Sequence, residues 1–330
     1  MRRLFVSILL VIAIIIGGWA LYHKEHIGNV DDFFRLAKSQ LNSLASGNTN
    51  FASWSRPERN TVRVASFNIQ VFGNKKASQP EIMATLAEII REFDIVAIQE
   101  IRSTDKTLLS RFVDQVNSNG RNFRYVISER LGRSNQREQY AYIFDMDTVQ
   151  LDGAQSYTIH DPDDLLRREP LVASFRTTRA AHDKAFTFTL VNLHLDSRSP
   201  QRELVHLNQI FRAIRNDGRG EDDVIIVGDF NIDSQGIANA TEQTGLTGLI
   251  SVNTNTRANQ QYDNIIIDSR ATTEFTGRAG VFDFLKHYNL SLDQALDVSD
   301  HLPVWAEFSL EEGGLNNLVA EEPSTARNLH

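Results

Sequence analysis

The stretch IIVGDFNID, residues 225–233, runs from an apolar, strand-like segment through Gly228 to Asp229 and Asn231. In extended chain, side chains two residues apart point to the same face, so this carboxylate and this amide would lie side by side. One anionic and one neutral oxygen donor suit a hard divalent cation. The same residues are also ordinary turn formers, and the stretch alone does not decide between the two interpretations.

Polar residues that could do chemistry recur at the ends of other strand-like segments. Because buried polar groups are costly unless something satisfies them, several of them are expected to converge at one edge of the sheets. Taken singly, each histidine is equally well explained as a hydrogen-bonded core residue, and the Asp-His pair as a turn. The residues are Asn68, Glu100, His194, Asp263, Asp300 and His301.

If they converge, Glu100, Asp229, Asn68 and Asn231 offer two carboxylates and two amides, all oxygen donors. This set suits Mg²⁺, with Mn²⁺ as the alternative, and does not suit zinc. Two histidines near carboxylates supply a general acid and a general base. A phosphoester fits these groups, because a cation polarises the phosphoryl oxygen, a base activates water and an acid protonates the leaving oxygen.

Hydrophobic periodicity predicts the elements that must position these residues. A fold with no glycine-rich phosphate loop after its first strand and no Gly-x-Ser-x-Gly elbow is neither a typical nucleotide-binding domain nor a serine hydrolase. Many strands with three clear helices between them predict an α/β fold, a four-layer α/β sandwich of two packed, mostly antiparallel sheets flanked by helices. The predicted strands are 61–69, 94–101, 139–145, 171–177, 185–195, 224–230, 262–268 and 302–310, and the helices are 78–93, 104–117 and 199–216.

Composition limits the possible functions. The 330 residues carry a formal net charge of −8, so no global basic field points to nucleic acid, although a local basic cleft would be enough. The absence of cysteine excludes disulfides, cysteine-ligated zinc or iron–sulfur sites and thiol catalysis.

The N-terminus differs from the rest of the chain. After Arg2 and Arg3, an uncharged run extends from Leu4 to Tyr22, close to the roughly 20 apolar residues that span a bilayer as a helix. We expect one transmembrane helix within an anchor segment at 1–26, which makes the membrane a partner and places the catalytic domain in the periplasm or outside the cell. Secretion after signal cleavage is the alternative, although no small-x-small site follows the apolar run.

The remaining boundaries follow from composition. A polar stalk or linker is predicted at 27–60, a compact domain at 61–310 and a flexible tail at 311–330. No feature of the sequence identifies a protein partner.

Nine motifs occur in an order that resembles the endonuclease/exonuclease/phosphatase superfamily, most closely its deoxyribonuclease I branch. The resemblance covers about residues 61–309. The motifs are SFNIQVFG, VAIQEIR, REQYAYIF, RREPLVASF, NLHL, VGDFNID, QYDNIII, FDFLKHYNLS and SDHLPV.

The resemblance implies roles for the matching residues. Asn68, Glu100, Asp229 and Asn231 would hold the metal and the scissile phosphate, and Asp300 would support the metal side.

The resemblance also implies two histidine–carboxylate pairs. His301, oriented by Asp263, would be the general base on water, and His194, oriented by Glu138, the acid for the leaving 3′ oxygen. Which histidine is acid and which is base stays open, because sequence carries no geometry. The ends produced would be 5′-phosphate and 3′-OH.

The implied substrate-binding residues are mostly basic. Arg102 and Arg168 would contact DNA phosphates, with Tyr262, Asn231 and Arg133 as further substrate contacts. Arg133 belongs to a cluster of five arginines between 121 and 137 that could form a local phosphate-binding patch or a solvated loop with local ion pairs.

The sequence departs from the family pattern at several positions. Gln70 and Gln136 replace an arginine and a tyrosine that contact DNA in the family. The segment before YD keeps Thr254 and Thr256 but has Val252 where an acid is expected, which places a structural Ca²⁺ in doubt.

The leading hypothesis is thus a metal-dependent phosphodiesterase, a deoxyribonuclease I-like endonuclease acting on DNA. The alternative within the superfamily is a phospholipid or inositol-phosphate phosphodiesterase or phosphatase, for which a membrane anchor would be convenient. A third possibility is a tethered binding module with a relic site, which the presence of Glu100, Asp229 and both histidines disfavours.

Overall fold

A computed structural model describes residues 60–133, 137–153 and 156–313. Thirteen strands are found in this part of the chain. They are β1 (Thr61–Phe72), β2 (Ile95–Ile101), β3 (Phe123–Ile127), β4 (Gln139–Asp145), β5 (Val149–Leu151), β6 (Tyr157–Thr158), β7 (Leu171–Thr177), β8 (Thr187–His194), β9 (Val224–Asp229), β10 (Leu246–Gly248), β11 (Asp263–Asp268), β12 (Phe275–Val281) and β13 (Val304–Ser309).

Eight α-helices connect the strands within the same residues. They are α1 (Asn74–Ala77), α2 (Pro80–Arg91), α3 (Leu108–Val116), α4 (Pro200–Leu204), α5 (Leu207–Arg215), α6 (Ser234–Thr241), α7 (Phe284–His287) and α8 (Leu292–Val298).

The strands form two mixed sheets. The first has the order β12-β13-β1-β2-β4-β3, and the second has the order β10-β11-β9-β8-β7-β5, with β6 paired to β7. Among the strands of the described residues, β1 with β2 and β8 with β9 pair in parallel, and the other pairs are antiparallel. The prediction of two mostly antiparallel sheets flanked by helices is confirmed.

Alternation along the strands divides the core into two apolar clusters. In β9, Ile225 and Val227 belong to the cluster between the sheets, whereas Val224 and Ile226 pack with α5 on the outer face. Because the side-chain period of a strand is two, Asp229 continues the row of Ile225 and Val227 on the inner face. The inner row of β8 likewise ends at His194.

A small polar network interrupts the apolar layer between the sheets. Gln99 on β2 donates to Ser66 Oγ at 3.0 Å and to Asn192 Oδ1 at 2.7 Å. Asn192 on β8 in turn donates to the backbone oxygens of Ile98 and Ala141. All three side chains are fully buried, so the network joins one sheet to the other directly beneath the strand ends.

Two features of the fold differ from the predictions. The helix predicted at 199–216 is two helices, α4 and α5, and the buried Glu203 side chain near the end of α4 accepts hydrogen bonds from Arg167 N and Asp196 N. Asp233, for which the sequence indicated no role, caps α6 by accepting from Gly236 N at 2.8 Å.

The N-terminal predictions concern residues outside the described part. Within 60–133, 137–153 and 156–313, no helix is long and apolar enough to cross a bilayer. The predicted anchor at 1–26, most of the linker at 27–60 and most of the tail at 311–330 lie beyond these ranges. The structure therefore does not test the domain boundaries.

Candidate active site

Parallel pairing of β8 with β9 brings the end of one strand beside the end of the other, with His194 in register with Asp229. Gly228 makes this approach possible, because a Cβ there would lie 1.9 Å from the carbonyl oxygen of Leu193. Across β9, Asp263 at the start of β11 is also in register with Asp229. Register alone thus assembles three of the predicted residues on the inner face of the second sheet.

The first sheet contributes Asn68 and Glu100 through irregular backbone. The β1–β2 register shifts between Asn68 and Phe72, and Glu100 has φ +64° where the β2–β4 register also shifts. A non-glycine residue in this left-handed region is strained, and a bulge re-aims its side chain. The Glu100 side chain is held in place by a hydrogen bond from Val71 N to Oε2 at 2.7 Å.

Asp229 lies at the centre of the site and is almost completely buried. Its Oδ2 accepts a hydrogen bond from Asn68 Nδ2 at 3.0 Å and lies 3.4 Å from His194 Nε2 and 3.7 Å from His301 Nε2. Its Oδ1 accepts from Asn231 N at 2.9 Å. Two histidines therefore face the same carboxylate with their Nε2 atoms.

Each histidine is oriented from behind by a second carboxylate. His194 Nδ1 lies 2.8 Å from Glu138 Oε1, and His301 Nδ1 lies 2.9 Å from Asp263 Oδ2. This is the pairing that the family resemblance implied. Since Nδ1 of each ring is bound to a carboxylate, Nε2 is the atom available for proton transfer.

The surroundings of the two pairs differ. Glu138 is fully buried and lies 3.5 Å from Arg102 Nη2 and 3.3 Å from Arg168 Nε. Burial alone would raise the pKa of Glu138, but the charges of His194 and Arg168 outweigh that effect and lower it. Burial alone would lower the pKa of His194, but the charges of Glu138 and Asp229 outweigh that effect and raise it.

The second pair has a hydroxyl in place of the arginines. Thr254 Oγ1 donates to Asp263 Oδ2 at 2.8 Å. Burial raises the pKa of Asp263. Burial lowers the pKa of His301, but the charges of Asp263 and Asp229 outweigh that effect and raise it to about 10.

Carboxylates that could hold a hard divalent cation occur in two groups of side chains, each of which also includes a histidine. Glu100 lies with Glu138 and His194 in one group of side chains whose ligand atoms are within 4.8 Å of one another, and Asp229 lies with Asp263 and His301 in a second. Asp300 Oδ1 has no hydrogen-bond partner within the described residues although the atom is buried. This oxygen lies 3.8 Å from His301 Nε2, and a buried carboxylate oxygen without a hydrogen bond is available as a ligand for a cation.

Sequence reasoning missed Lys76, which is buried beside the metal side of the site. Its Nζ donates to the backbone oxygens of Ile69 and Val298, both at 2.7 Å. Burial lowers the pKa of this amine to about 8, against the opposing charges of Asp300 and Glu100. No motif marks this lysine, because only the tertiary fold brings it to the backbone oxygens of Ile69 and Val298.

The predicted substrate-binding residues are dispersed. Arg102 is partly exposed next to Glu100, and the Tyr262 ring lies 5.4 Å from the His301 ring. The Arg168 side chain is only 5% exposed and donates to His194 O, so its contacts are with the catalytic pair. Arg133 forms an ion pair with Asp164 at 2.5 Å.

The five arginines between 121 and 137 do not form one patch. Arg121 pairs with Asp145 at the far end of β4, whereas Arg130 donates to Ser103 O and Arg137 O near Glu138. A strand of seven residues is about 20 Å long, which separates the two groups.

Comparisons with known proteins agree with this geometry. The family model described as "Endonuclease/Exonuclease/phosphatase family" matches residues 65–301. Deoxyribonuclease gamma from Rattus norvegicus is 30% identical over 76% of this chain and 85% of its own length, and deoxyribonuclease-1 from Bos taurus is 31% identical over 74% and 91%.

Solved structures show the same fold at low identity. An endonuclease/exonuclease/phosphatase family protein from Leptotrichia buccalis has 15% identity and a TM-score of 0.54, over 75% of this chain and 99% of that protein. One from Bacteroides thetaiotaomicron has 16% identity and a TM-score of 0.53, over 76% and 98%. Together with the extent of the family match, these similarities show that the chain belongs to the endonuclease/exonuclease/phosphatase family.

Proposed function

We propose that the protein is a metal-dependent endonuclease that hydrolyses DNA to 5′-phosphate and 3′-OH ends, with Mg²⁺ as its cation. One observation carries the proposal: two oriented histidines face Asp229 with their Nε2 atoms, 3.4 Å and 3.7 Å from the same carboxylate oxygen. Hydrolysis of a phosphodiester needs one group that takes a proton from water and one that gives a proton to the leaving oxygen, and two histidines can supply both. The similarity to two deoxyribonucleases supports DNA as the substrate.

The proposed roles of the histidines follow the implied pairing. His301 takes a proton from the attacking water while the new P–O bond forms. As the P–O3′ bond breaks, His194 gives its proton to the leaving 3′ oxygen. Asp263 and Glu138 hold the two rings at Nδ1 throughout, so each ring presents Nε2 to the reacting atoms.

The cation has a proposed place near Glu100 and Asp300, with Asn68 beside them. When bound it would neutralise charge on the phosphoryl oxygens. Arg102, partly exposed next to Glu100, is positioned to contact a neighbouring phosphate. Asn231 anchors its amide by donating to Leu195 O at 3.0 Å, which fixes it next to Asp229 for contact with the scissile phosphate.

The test is an assay of the full-length chain, in a mild detergent because of its apolar N-terminal segment. Supercoiled plasmid, RNA, a phospholipid and inositol phosphates are each incubated with Mg²⁺, with Mn²⁺ and with EDTA. We expect nicking of the plasmid with Mg²⁺ and none with EDTA. Release of a lipid headgroup or inorganic phosphate with intact plasmid would establish the alternative substrate class instead.

We also propose that residues 1–26 anchor the enzyme in a membrane with the catalytic domain on the periplasmic or extracellular side. Arg2 and Arg3 before the uncharged run support this orientation. Fusions of a periplasm-active and a cytoplasm-active reporter to the C-terminus test it, and activity of the cytoplasmic reporter alone would contradict it.

A further inference from the structure

A second cluster of carboxylates lies at the end of β9 that is remote from Asp229. Asp223 immediately precedes β9, Glu274 immediately precedes β12, and Glu312 follows β13. One oxygen from each of these three side chains lies within 4.8 Å of the others. Asp223 and Asp229 are six residues apart along β9, roughly 20 Å at about 3.3 Å per residue, so the cluster is not part of the active site.

Neighbouring groups hold two of these side chains in place through a single oxygen. Glu274 Oε1 accepts from Gly313 N at 2.6 Å and from Thr273 Oγ1 at 3.3 Å. Glu312 Oε1 accepts from Thr187 N at 2.7 Å and from Thr187 Oγ1 at 3.0 Å. The carboxylates are therefore fixed by the fold.

Other oxygens of the cluster are buried without a partner. Asp223 is 3% exposed and Glu274 is 2% exposed, and within the described ranges Asp223 Oδ1 and Glu274 Oε2 make no hydrogen bond. A buried carboxylate oxygen that is neither hydrogen-bonded nor paired is costly.

Among the described residues, no lysine or arginine is one of the main electrostatic influences on Asp223 or Glu274, the two most buried members of the cluster. Burial, together with the charges of Glu274, Glu221 and Glu312, raises the pKa of Asp223 to about 9. The protein alone thus leaves several carboxylates crowded together in a dry place.

We propose that Asp223, Glu274 and Glu312 bind a Ca²⁺ ion. Ca²⁺ takes carboxylate oxygens at about 2.3–2.6 Å, so ligands on opposite sides of the ion are up to about 5 Å apart. The oxygens of this cluster lie within 4.8 Å of one another, close enough for one ion to reach all three. A site made of protein carboxylates suits Ca²⁺ better than Mg²⁺, which usually keeps several waters and binds through only one or two carboxylates.

The position of the site defines what the ion would do. Asp223 leads into β9 of the second sheet, whereas Glu274 and Glu312 flank β12 and β13 of the first sheet. A Ca²⁺ ion bound by all three would join the two sheets at the end opposite the catalytic residues. Its effect is therefore expected on stability, independently of the proposed nuclease activity.

The test compares thermal unfolding of the full-length chain in Ca²⁺, in Mg²⁺ and in EDTA, with Glu100→Gln as background to weaken cation binding at the active site. We expect Ca²⁺ at about 100 times its Kd to raise Tm by about 5–10 °C. Asp223→Asn keeps the shape but cannot ionise to bind the ion, so it folds without Ca²⁺ and loses this rise. Glu274→Gln serves as the second variant with the same expectation.

Glu311→Gln is the matched control, because Glu311 is an exposed neighbour of Glu312. Calorimetric titration should find one Ca²⁺ fewer per chain in Asp223→Asn than in Glu311→Gln. Equal Ca²⁺-induced rises in Tm for these two variants would overturn the proposal. A rise produced by Mg²⁺ and not by Ca²⁺ would overturn it as well.

Discussion

The two histidine–carboxylate pairs have the same contact at the histidine ring and differ in the groups that surround the carboxylate. Glu138 lies beside two guanidinium groups, 3.3 Å and 3.5 Å away, and against the effect of burial their charges add to that of His194 in lowering its pKa. Asp263 has a threonine hydroxyl instead, and the charge of His301 is the largest influence that lowers its pKa against the effect of burial. The first pair therefore has permanent positive charges next to its carboxylate, whereas the second pair has a neutral hydroxyl in that position.

Removing either ring should have the largest effect. His194→Ala and His301→Ala each lose a proton-transfer group, which is worth about 10²–10⁴-fold in rate. Because both act in one displacement, the double variant should be little slower than the worse single variant. Plasmid-nicking rates at saturating Mg²⁺ measure this, and a single variant as fast as the parent would exclude that histidine from catalysis.

Replacing the carboxylate of each pair should give the clearest difference between the pairs, in the free energy of unfolding. Glu138→Gln leaves Arg168 buried opposite a neutral group, and breaking a buried charge pair costs about 3–5 kcal/mol of unfolding free energy. Asp263→Asn leaves no arginine behind, so its loss of stability should be much smaller. Chemical denaturation of both variants measures the difference, and equal losses would contradict the distinction drawn between the pairs.

The same two variants should differ in their pH dependence. The carboxylate of Asp263 raises the pKa of His301, so removing it lowers that pKa, and the neutral base is then present at lower pH. The rising acidic limb of kcat/KM should accordingly move to lower pH in Asp263→Asn, by about 1–2 pH units. A limb that stays in place, or moves up, would show that His301 is not the base.

Replacing either arginine should have a smaller effect, and the two variants should change different kinetic constants. Arg168→Met removes a buried support of Glu138 and is expected to lower kcat about tenfold, together with stability. Arg102→Met removes a partly exposed charge and should mainly raise KM and flatten the dependence of DNA affinity on salt concentration. Arg102→Lys keeps the positive charge, so it should keep the salt dependence that Arg102→Met loses if the contact is with phosphate.

Thr254→Val should show the smallest effect, a loss of activity below about tenfold. Its hydroxyl donates to Asp263 and accepts from Tyr262 N at 2.9 Å, so the valine variant also leaves a backbone group unpaired. Thr254→Ser keeps the hydroxyl and is the matched control. An unchanged rate and Tm in the valine variant would mean that the hydroxyl does not position Asp263.

The parts of the site that could be predicted from sequence are those that depend on neighbouring residues of one strand or on the family motifs. Asp229 and Asn231 were identified from the period of a single strand, and the family resemblance implied the partners of both histidines. Neither the bulges around Glu100 nor the burial of Lys76 has a local sequence pattern, because both depend on how β1, β2 and α8 meet. For the same reason the sequence placed Arg168 with the substrate, while the structure buries it behind Glu138.

Strands were missed where alternation is weak. The segment FTGRAGV of β12 contains two glycines and is half-buried, so its pattern is that of a loop, and pairing with β13 is what makes it a strand. The acidic cluster at Asp223 was also missed, since its members come from three separate parts of the chain.

The buried network of Ser66, Gln99 and Asn192 has a consequence for redesign of this enzyme. Apolar layers can slide past one another at small cost, but a slip here would leave amides unpaired in a dry interior, and Gln99 Oε1 already has no partner among the described residues. The network thus fixes the position of the first sheet, which carries Glu100, relative to the second sheet, which carries Asp229. A thermostabilised version with three aliphatic residues at these positions would gain hydrophobic contact and lose the element that aligns the two halves of its catalytic centre.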